Sequence, residues 1–210
     1  MAVVALFGAT GKTGRKVFDR LLAGGHEVRT LVRDPAKLGD YSGEVEVVTG
    51  DVLNAADVDL TVAGSDAVLS LFGHVKGSPR ELLTPGTRWI VEAMKRHGVT
   101  RIVTLSIGGL HAEQDRPKTA DKVIISVLKL MRGYVLADVE GHLAVLEESG
   151  LDWTVVRAPR LTDKPGRGTH RVGWVGVNAS TQISRDDMAD FIVTQVEDRR
   201  FIGQLPFVSD

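Results

Sequence analysis

Three glycines at fixed spacing constrain this chain more than any other feature. Residues Ala2 to Phe7 form a short, continuous apolar run rich in valine, and Gly8-Ala9-Thr10-Gly11-Lys12-Thr13-Gly14 follows at once. A run apolar on both faces reads as a strand buried in a parallel sheet. Beyond the glycines, Val17, Phe18, Leu21 and Leu22 recur at helical spacing, and Gly24-Gly25 ends the helix. A strand-to-helix turn that carries a pyrophosphate has three needs. One position must adopt unusual backbone angles, one must let the backbone approach the phosphate, and one must let helix and strand pack tightly. Gly8, Gly11 and Gly14 can serve these needs, with N–H groups around Thr10 to Thr13 aimed at the phosphates from the helix N-terminus. The alternative is a tight turn with no ligand. A mononucleotide phosphate loop is excluded, because G-x-x-x-x-G-K-[ST] needs more residues between its glycines than this turn has.

The rest of the chain repeats the strand–helix alternation. Further strands are expected over Glu27 to Val32, Val45 to Val48, Ala67 to Phe72, Arg101 to Leu105, Trp153 to Val156 and Leu205 to Val208. Helices are expected over Arg88 to His97, Asp138 to Glu148 and Ser184 to Val196, the last opened by Ser184 and Asp187 in a capping box. Such alternation argues for right-handed crossovers and a doubly wound parallel sheet in one α/β domain spanning residues 1–210. Ligands of these sheets sit beyond the carboxyl ends of the strands. The segments there are Gly8–Gly14, Arg33, Gly50–Asp51, Phe72–His74, Ser106–Gly109 and Arg157–Leu161. Two regions break the pattern. The apolar run Val123 to Met131 reads as a buried helix or as a lid or subunit contact. Thr162 to Thr181, with four glycines, reads as a loop and a small hairpin.

Composition closes off several classes of function. Lys+Arg 26 against Asp+Glu 27 gives a net charge of −1, without the basic excess of a nucleic-acid binder. There is no cysteine, so disulfides and thiolate chemistry are excluded. No apolar stretch is long enough for a membrane span, and no basic lead precedes the first strand, so a cytoplasmic, soluble protein is expected. No metal-ligand spacing is present.

The glycine turn, with Leu31-Val32-Arg33-Asp34, Gly50-Asp51-Val52-Leu53, Val62-Ala63-Gly64-Ser65-Asp66-Ala67-Val68 and Glu148-Ser149-Gly150-Leu151, resembles the atypical short-chain dehydrogenase/reductases. Within these it is most similar to the flavin reductase/biliverdin reductase B type, with a Rossmann fold. The resemblance is loose over residues 111–137 and 164–182. It implies that Arg33 and Lys37 flank the 2′-phosphate of NADPH. A cation after the second strand suits that phosphate, whereas Asp34 could instead serve a 2′-hydroxyl. Lys12 would add charge near the phosphates. The resemblance further implies that Asp51 and Val52 contact adenine, Asp51 alternatively capping the next helix. Phe72, Gly73 and His74 would lie beside the ribose and pyrophosphate, His74 being otherwise an incidental exposed histidine. Ser106 and Pro159 would lie beside the nicotinamide, and Ser106 is the candidate for a direct chemical role.

Standard members of the wider family pair a Tyr with a Lys four residues later. Here the only tyrosines are Tyr41 and Tyr134, and Tyr134 is followed by Asp138. Alcohol–ketone chemistry through that dyad is therefore not expected. Hydride transfer to an intrinsically electrophilic acceptor needs mainly proximity and orientation. Arg160 and Val139 stand where the resembled type has histidines, and Arg160 could bind a carboxylate or phosphate of the substrate. Asp138 and His142, four apart, are expected as a hydrogen-bonded surface pair. The expectation is a monomer or small homo-oligomer reducing a flavin, quinone or tetrapyrrole with NADPH. The alternative is a dinucleotide-binding redox sensor of NmrA type. An epimerase or dehydratase is disfavoured by the missing dyad.

Overall fold

The structure, a computed structural model, describes residues 1–118 and 133–210 in full and residues 119–132 only as helix backbone. In chain order the elements are β1 (Val3–Phe7), α1 (Lys12–Ala23), β2 (Glu27–Val32), β3 (Val45–Thr49), α2 (Ala55–Val62), β4 (Ala67–Ser70), α3 (Leu83–His97) and β5 (Arg101–Ile107). They continue with α4 (Thr119–Glu147), β6 (Asp152–Ala158), β7 (Arg160–Thr162), β8 (Arg171–Gly173), β9 (Gln182–Ser184), α5 (Arg185–Thr194) and β10 (Phe207–Ser209).

Eight strands form the main sheet in the order β3-β2-β1-β4-β5-β6-β10-β8, parallel except for β8. The chain runs outward from β1 to β3, then returns to the other side of β1 with β4. That reversal is the switch point of a doubly wound sheet, where the loops part and leave a crevice. The apolar strand runs are explained by burial from both sides. On one face Val17, Phe18 and Leu21 of α1 pack with Met188, Phe191 and Ile192 of α5. On the other, Val58 and Val62 of α2 meet Ile90 and Met94 of α3 and Leu146 of α4.

Four expectations are corrected. The helix expected from Asp138 begins at Thr119 and passes through Gly133 without a break. The side chains of Val123 to Met131 lie outside the described residues. The segment after β7 does not form only a local hairpin: β8 extends the main sheet antiparallel to β10, and only Trp174 and Val177 bridge as a tight turn. The capping box is half made. Ser184 Oγ accepts from the Asp187 N–H, but the buried Asp187 carboxylate is taken up by the Ser184 hydroxyl and by the N–H groups of Arg167 and Gly168. Asp51 does not cap α2, since Asn54 accepts from the Ala56 N–H in that role.

One polar feature inside the fold left no mark in the sequence pattern. Arg157, at the end of β6, is fully buried, and its guanidinium meets both carboxylate oxygens of Asp115 at 2.8 and 2.9 Å. It also donates to the Leu110 and Leu205 carbonyls. Asp115 in turn accepts from the N–H groups of Ala112 and Val175. Burial raises the Asp115 carboxyl, but Arg157 and these N–H donors outweigh it and hold it below the usual carboxylate range. The pair joins the β5–α4 loop, the Trp174 turn and the end of β6 in one place. Breaking a buried pair leaves an uncompensated charge. Asp115→Ala is therefore expected to lower the unfolding free energy by roughly 3–5 kcal/mol in urea titrations at neutral pH. A loss under about 1 kcal/mol would show that the pair carries no structural weight.

Candidate functional site

The carboxyl ends of β1, β2, β3 and β4 converge on an open cleft of ≈ 660 Å³. Of the residues picked out in the sequence, Gly8, Thr10, Arg33, Asp51, Val52, Phe72 and Gly73 line it. Leu31, Leu53, Ser78, Pro79 and Leu82 line it as well. Ser78 and Pro79 belong to the stretch His74 to Glu81, in which the sequence places the acceptor pocket. Gly11, Lys12, Thr13, Gly14, Lys37, His74, Ser106, Pro159 and Arg160 are not part of that lining.

The floor of the cleft is the glycine turn. Gly8 has φ +90, and a Cβ there would lie 2.7 Å from the backbone of Leu71 and Phe72. A Cβ on Gly14 would lie 2.0 Å from the Gly8 carbonyl oxygen. These two positions therefore admit no side chain, and their closeness seats the first turn of α1 on the end of β1. Gly11 is the N-cap of α1. No side chain caps this terminus, and its first turn carries no acidic residue. The other helix starts whose side chains are described are closed: Asn54 caps α2, Ser184 caps α5, and Asp138 accepts from the first N–H groups of α3. An uncapped helix N-terminus beside a cleft keeps its N–H groups free for an anion.

The second strand supplies the charge. Arg33 is exposed, lines the cleft, and has no ion-pair partner among the described residues. The carboxylate of its neighbour Asp34 is engaged elsewhere. One oxygen accepts from the Ala36 N–H at 3.2 Å, and the other stands 3.7 Å from Lys37. Lys37 stands beside Asp34, and both side chains are exposed. Lys12 does not face the cleft; its ammonium pairs at 3.0 Å with Asp163, which also binds Arg185. Asp51 accepts from the Leu53 N–H with one oxygen, folding the β3 end around the cleft rim.

The other half of the sheet end is formed differently. Ser106, near the end of β5, is partly buried beside Arg157 on β6. Pro159 precedes the exposed Arg160, which opens β7 and has no side-chain partner among the described residues. His74 is not an incidental exposed histidine: its Nε2 lies 2.8 Å from Asp138 Oδ2, and its side chain is only one-tenth exposed. Asp138 and His142 are not a surface pair. Both are buried, and they face different partners. Asp138 accepts from the N–H groups of Leu82, Leu83 and Thr84 at 2.7–2.9 Å. Burial raises its carboxyl, but these donors prevail and bring it down to about 2. His142 is bonded to Thr87 at 2.6 Å and Thr104 at 3.2 Å. Its burial pushes the imidazole down to about 4 against the pull of Asp138. Val139, in place of the resembled histidine, is a core residue.

Residues 8–199 match a family described as NAD(P)H-binding. The chain is 26% identical over 204 residues to an uncharacterised chloroplastic protein of Arabidopsis thaliana, covering 90% of this chain and 70% of that one. It spans 54% of the length of two other relatives. Among solved structures it is similar to a wide-type short-chain dehydrogenase/reductase of Veillonella parvula in complex with NADP. That match has a TM-score of 0.77 and 19% identity, covering 100% of this chain and 95% of that one. It is also similar to ChuY of Escherichia coli O157:H7, described as an anaerobillin reductase, with TM-score 0.77 and 19% identity, covering 99% and 96%. At these identities the structural likeness shows the fold. Among the described residues no helix is long and apolar enough to cross a membrane.

The buried histidine makes stability depend on pH. The folded value of about 4 lies below the ordinary 6.5, so the fold favours the neutral ring. That contribution is complete above pH 6.5 and disappears as the pH falls to 4, a change of about 3 kcal/mol. Urea unfolding at pH 7 and pH 4.5 should show a shallower acid loss in His142→Gln than in the parent. Equal slopes would place the acid sensitivity elsewhere.

Proposed function

The chain belongs to the NAD(P)H-binding family, and from that premise we propose that it is an NADPH-dependent reductase whose acceptor is a planar conjugated molecule such as a flavin, quinone or tetrapyrrole. The observation that carries the cofactor reading is the contrast between Arg33 and Asp34. The guanidinium at the cleft has no ion-pair partner among the described residues, while the carboxylate that would bind a 2′-hydroxyl accepts from the Ala36 N–H and stands beside Lys37. A planar guanidinium suits a phosphate, which it can meet with two parallel hydrogen bonds.

The residues of the cleft fit the dinucleotide. The bare N-terminus of α1, behind Gly8 and Gly11, takes the pyrophosphate. Arg33 takes the 2′-phosphate. Asp51 has one carboxylate oxygen on Leu53 and the other open toward the adenine amine. Phe72 and Gly73 wall the ribose. The bound cofactor supplies the hydride. Ser106 and Pro159, across β4 on the β5–β6 side, hold the nicotinamide end.

The acceptor reading rests on Asp138. Where a Tyr–Lys dyad would place an ammonium, this chain has a carboxylate already bonded to the N–H groups of Leu82, Leu83 and Thr84 at the start of α3. Tyr134 is half exposed and packs edge-on against His74. Among the described residues nothing there turns a phenol into the acid of alcohol–ketone chemistry, and an electrophilic acceptor suits what remains. That the similar ChuY is described as a reductase of anaerobillin supports a tetrapyrrole within this class. Arg160, exposed and without a side-chain partner among the described residues, suits an acidic substituent on such a molecule.

Arg33→Ala is expected to weaken NADPH binding by roughly 10- to 150-fold, the equivalent of losing one charge-assisted contact, while NADH binding changes less than about twofold. Equal losses for both would remove the phosphate assignment. NADPH oxidation with FMN, riboflavin, a quinone and biliverdin tests the activity. Tight binding with no oxidation across that panel would favour a redox sensor instead.

A further inference from the structure

We propose, resting on the reductase reading above, that His74 is a catalytic acid of this chain, its Nδ1 presenting a proton to the acceptor, and that Asp138 is the positioning residue that aims it.

The placement comes from the chain itself. Phe72 and Gly73 line the cleft, and His74 follows directly at its rim, beyond the end of β4. β4 is hydrogen-bonded to β5, the strand that carries Ser106, so the loop that carries His74 leaves the sheet next to the strand that ends at Ser106 and Ile107. Its ring is not free to turn. Nε2 is held by Asp138 at 2.8 Å, and the ring packs edge-on against Tyr134 with centroids 6.1 Å apart. Arg80 lies over the outer part of that arrangement, 5.9 Å from the Tyr134 ring centre.

The tautomer follows from the partner. Asp138 stays ionised at neutral pH and accepts hydrogen bonds only, so the nitrogen facing it is the N–H. Nδ1 is then the variable nitrogen: a lone pair in the neutral ring, an N–H in the cation. It has no hydrogen-bond partner among the described residues. Capping alone does not account for the histidine. The three N–H groups of α3 and the Thr84 hydroxyl already engage Asp138 at its carboxylate and carbonyl. Among the described residues, the charged and titratable groups in contact with this arrangement are Asp138 and Tyr134 on α4, with Arg80 across the tyrosine. His142, one turn further along α4, is turned away to Thr87 and Thr104.

The balance is simple. The acceptor gains a hydride from the reduced nicotinamide dinucleotide, and an electron pair comes to its conjugated oxygen or nitrogen. That atom takes the proton from Nδ1, so one N–H bond breaks and one O–H or N–H bond forms. The ring is left neutral, and water restores its proton. The dinucleotide is oxidised and the acceptor is reduced by two electrons.

Two readouts test this. Ring-nitrogen NMR of the labelled full chain is expected to find His74 as the Nε2–H tautomer when neutral, independent of any turnover. In steady-state assays with a quinone, His74→Gln is expected to keep NADPH affinity within about twofold and to lose roughly 10²-fold in kcat. The parent's fall in kcat toward high pH should vanish in that variant. An Nδ1–H tautomer would overturn the proposal. So would a His74→Gln enzyme with the parent's kcat and pH profile. A parent that binds NADPH but reduces nothing would instead overturn the reductase reading, and the destination of the proton with it. Asp138→Asn, if it folds, should populate both tautomers; a folded variant that keeps Nε2–H alone would remove Asp138 from the assignment.

Discussion

The contact between Gly14 and the Gly8 carbonyl decides what the rest of this molecule can do. A Cβ at Gly14 would sit 2.0 Å from that oxygen, and one at Gly8 would strike the end of β4. Removing both side chains lets α1 start directly on β1, at the point where the sheet order reverses. The helix terminus then opens into the crevice with its N–H groups unclaimed. In a domain that closes its other described helix starts with Asn54, Ser184 and Asp138, this one bare end is the natural place for a phosphate group.

Two buried carboxylates organise the half of the sheet end beyond the cleft. Asp115, held by Arg157, gathers the β5–α4 loop and the Trp174 turn against β6. Asp138, held by the start of α3, fixes the loop after β4 and the His74 ring. Neither is exposed, and each is satisfied by several donors, which is the condition under which a buried charge is tolerated. They set geometry around the site from within the fold. Hydride transfer depends on placing reacting atoms within contact distance, so rigid loop placement is itself a chemical contribution.

The sheet and the glycine turn were legible because their causes are local. Strand β2 runs from Glu27 to Val32 as its apolar pattern indicates, and Arg33 falls at the cleft because it ends that strand. The missing features have distant causes. Asp138 meets His74 and Leu82 from 64 and 56 residues away, and Lys12 meets Asp163 across 151. No periodicity marks such pairs, so the sequence places Lys12 near the phosphates and His74 beside the ribose and pyrophosphate, with no sign of the partners Asp163 and Asp138. The apolar run Val123 to Met131 and the helix expected over Asp138 to Glu148 read as separate segments, yet α4 spans both, since the one Gly133 between them lowers helix propensity by only about 1 kcal/mol. Strand β8 was hidden because three residues are too few to show an alternation, and its partner β10 lies at the far end of the chain.

The direct test is to offer the cleft the adenosine half of the carrier by itself. Adenosine 2′,5′-bisphosphate, titrated into the labelled protein, should bind at least tenfold more tightly than 5′-AMP. It should also shift the backbone amides of Lys12, Thr13 and Gly14 together with Arg33. No binding at millimolar concentration, or shifts confined to other surfaces, would contradict the account.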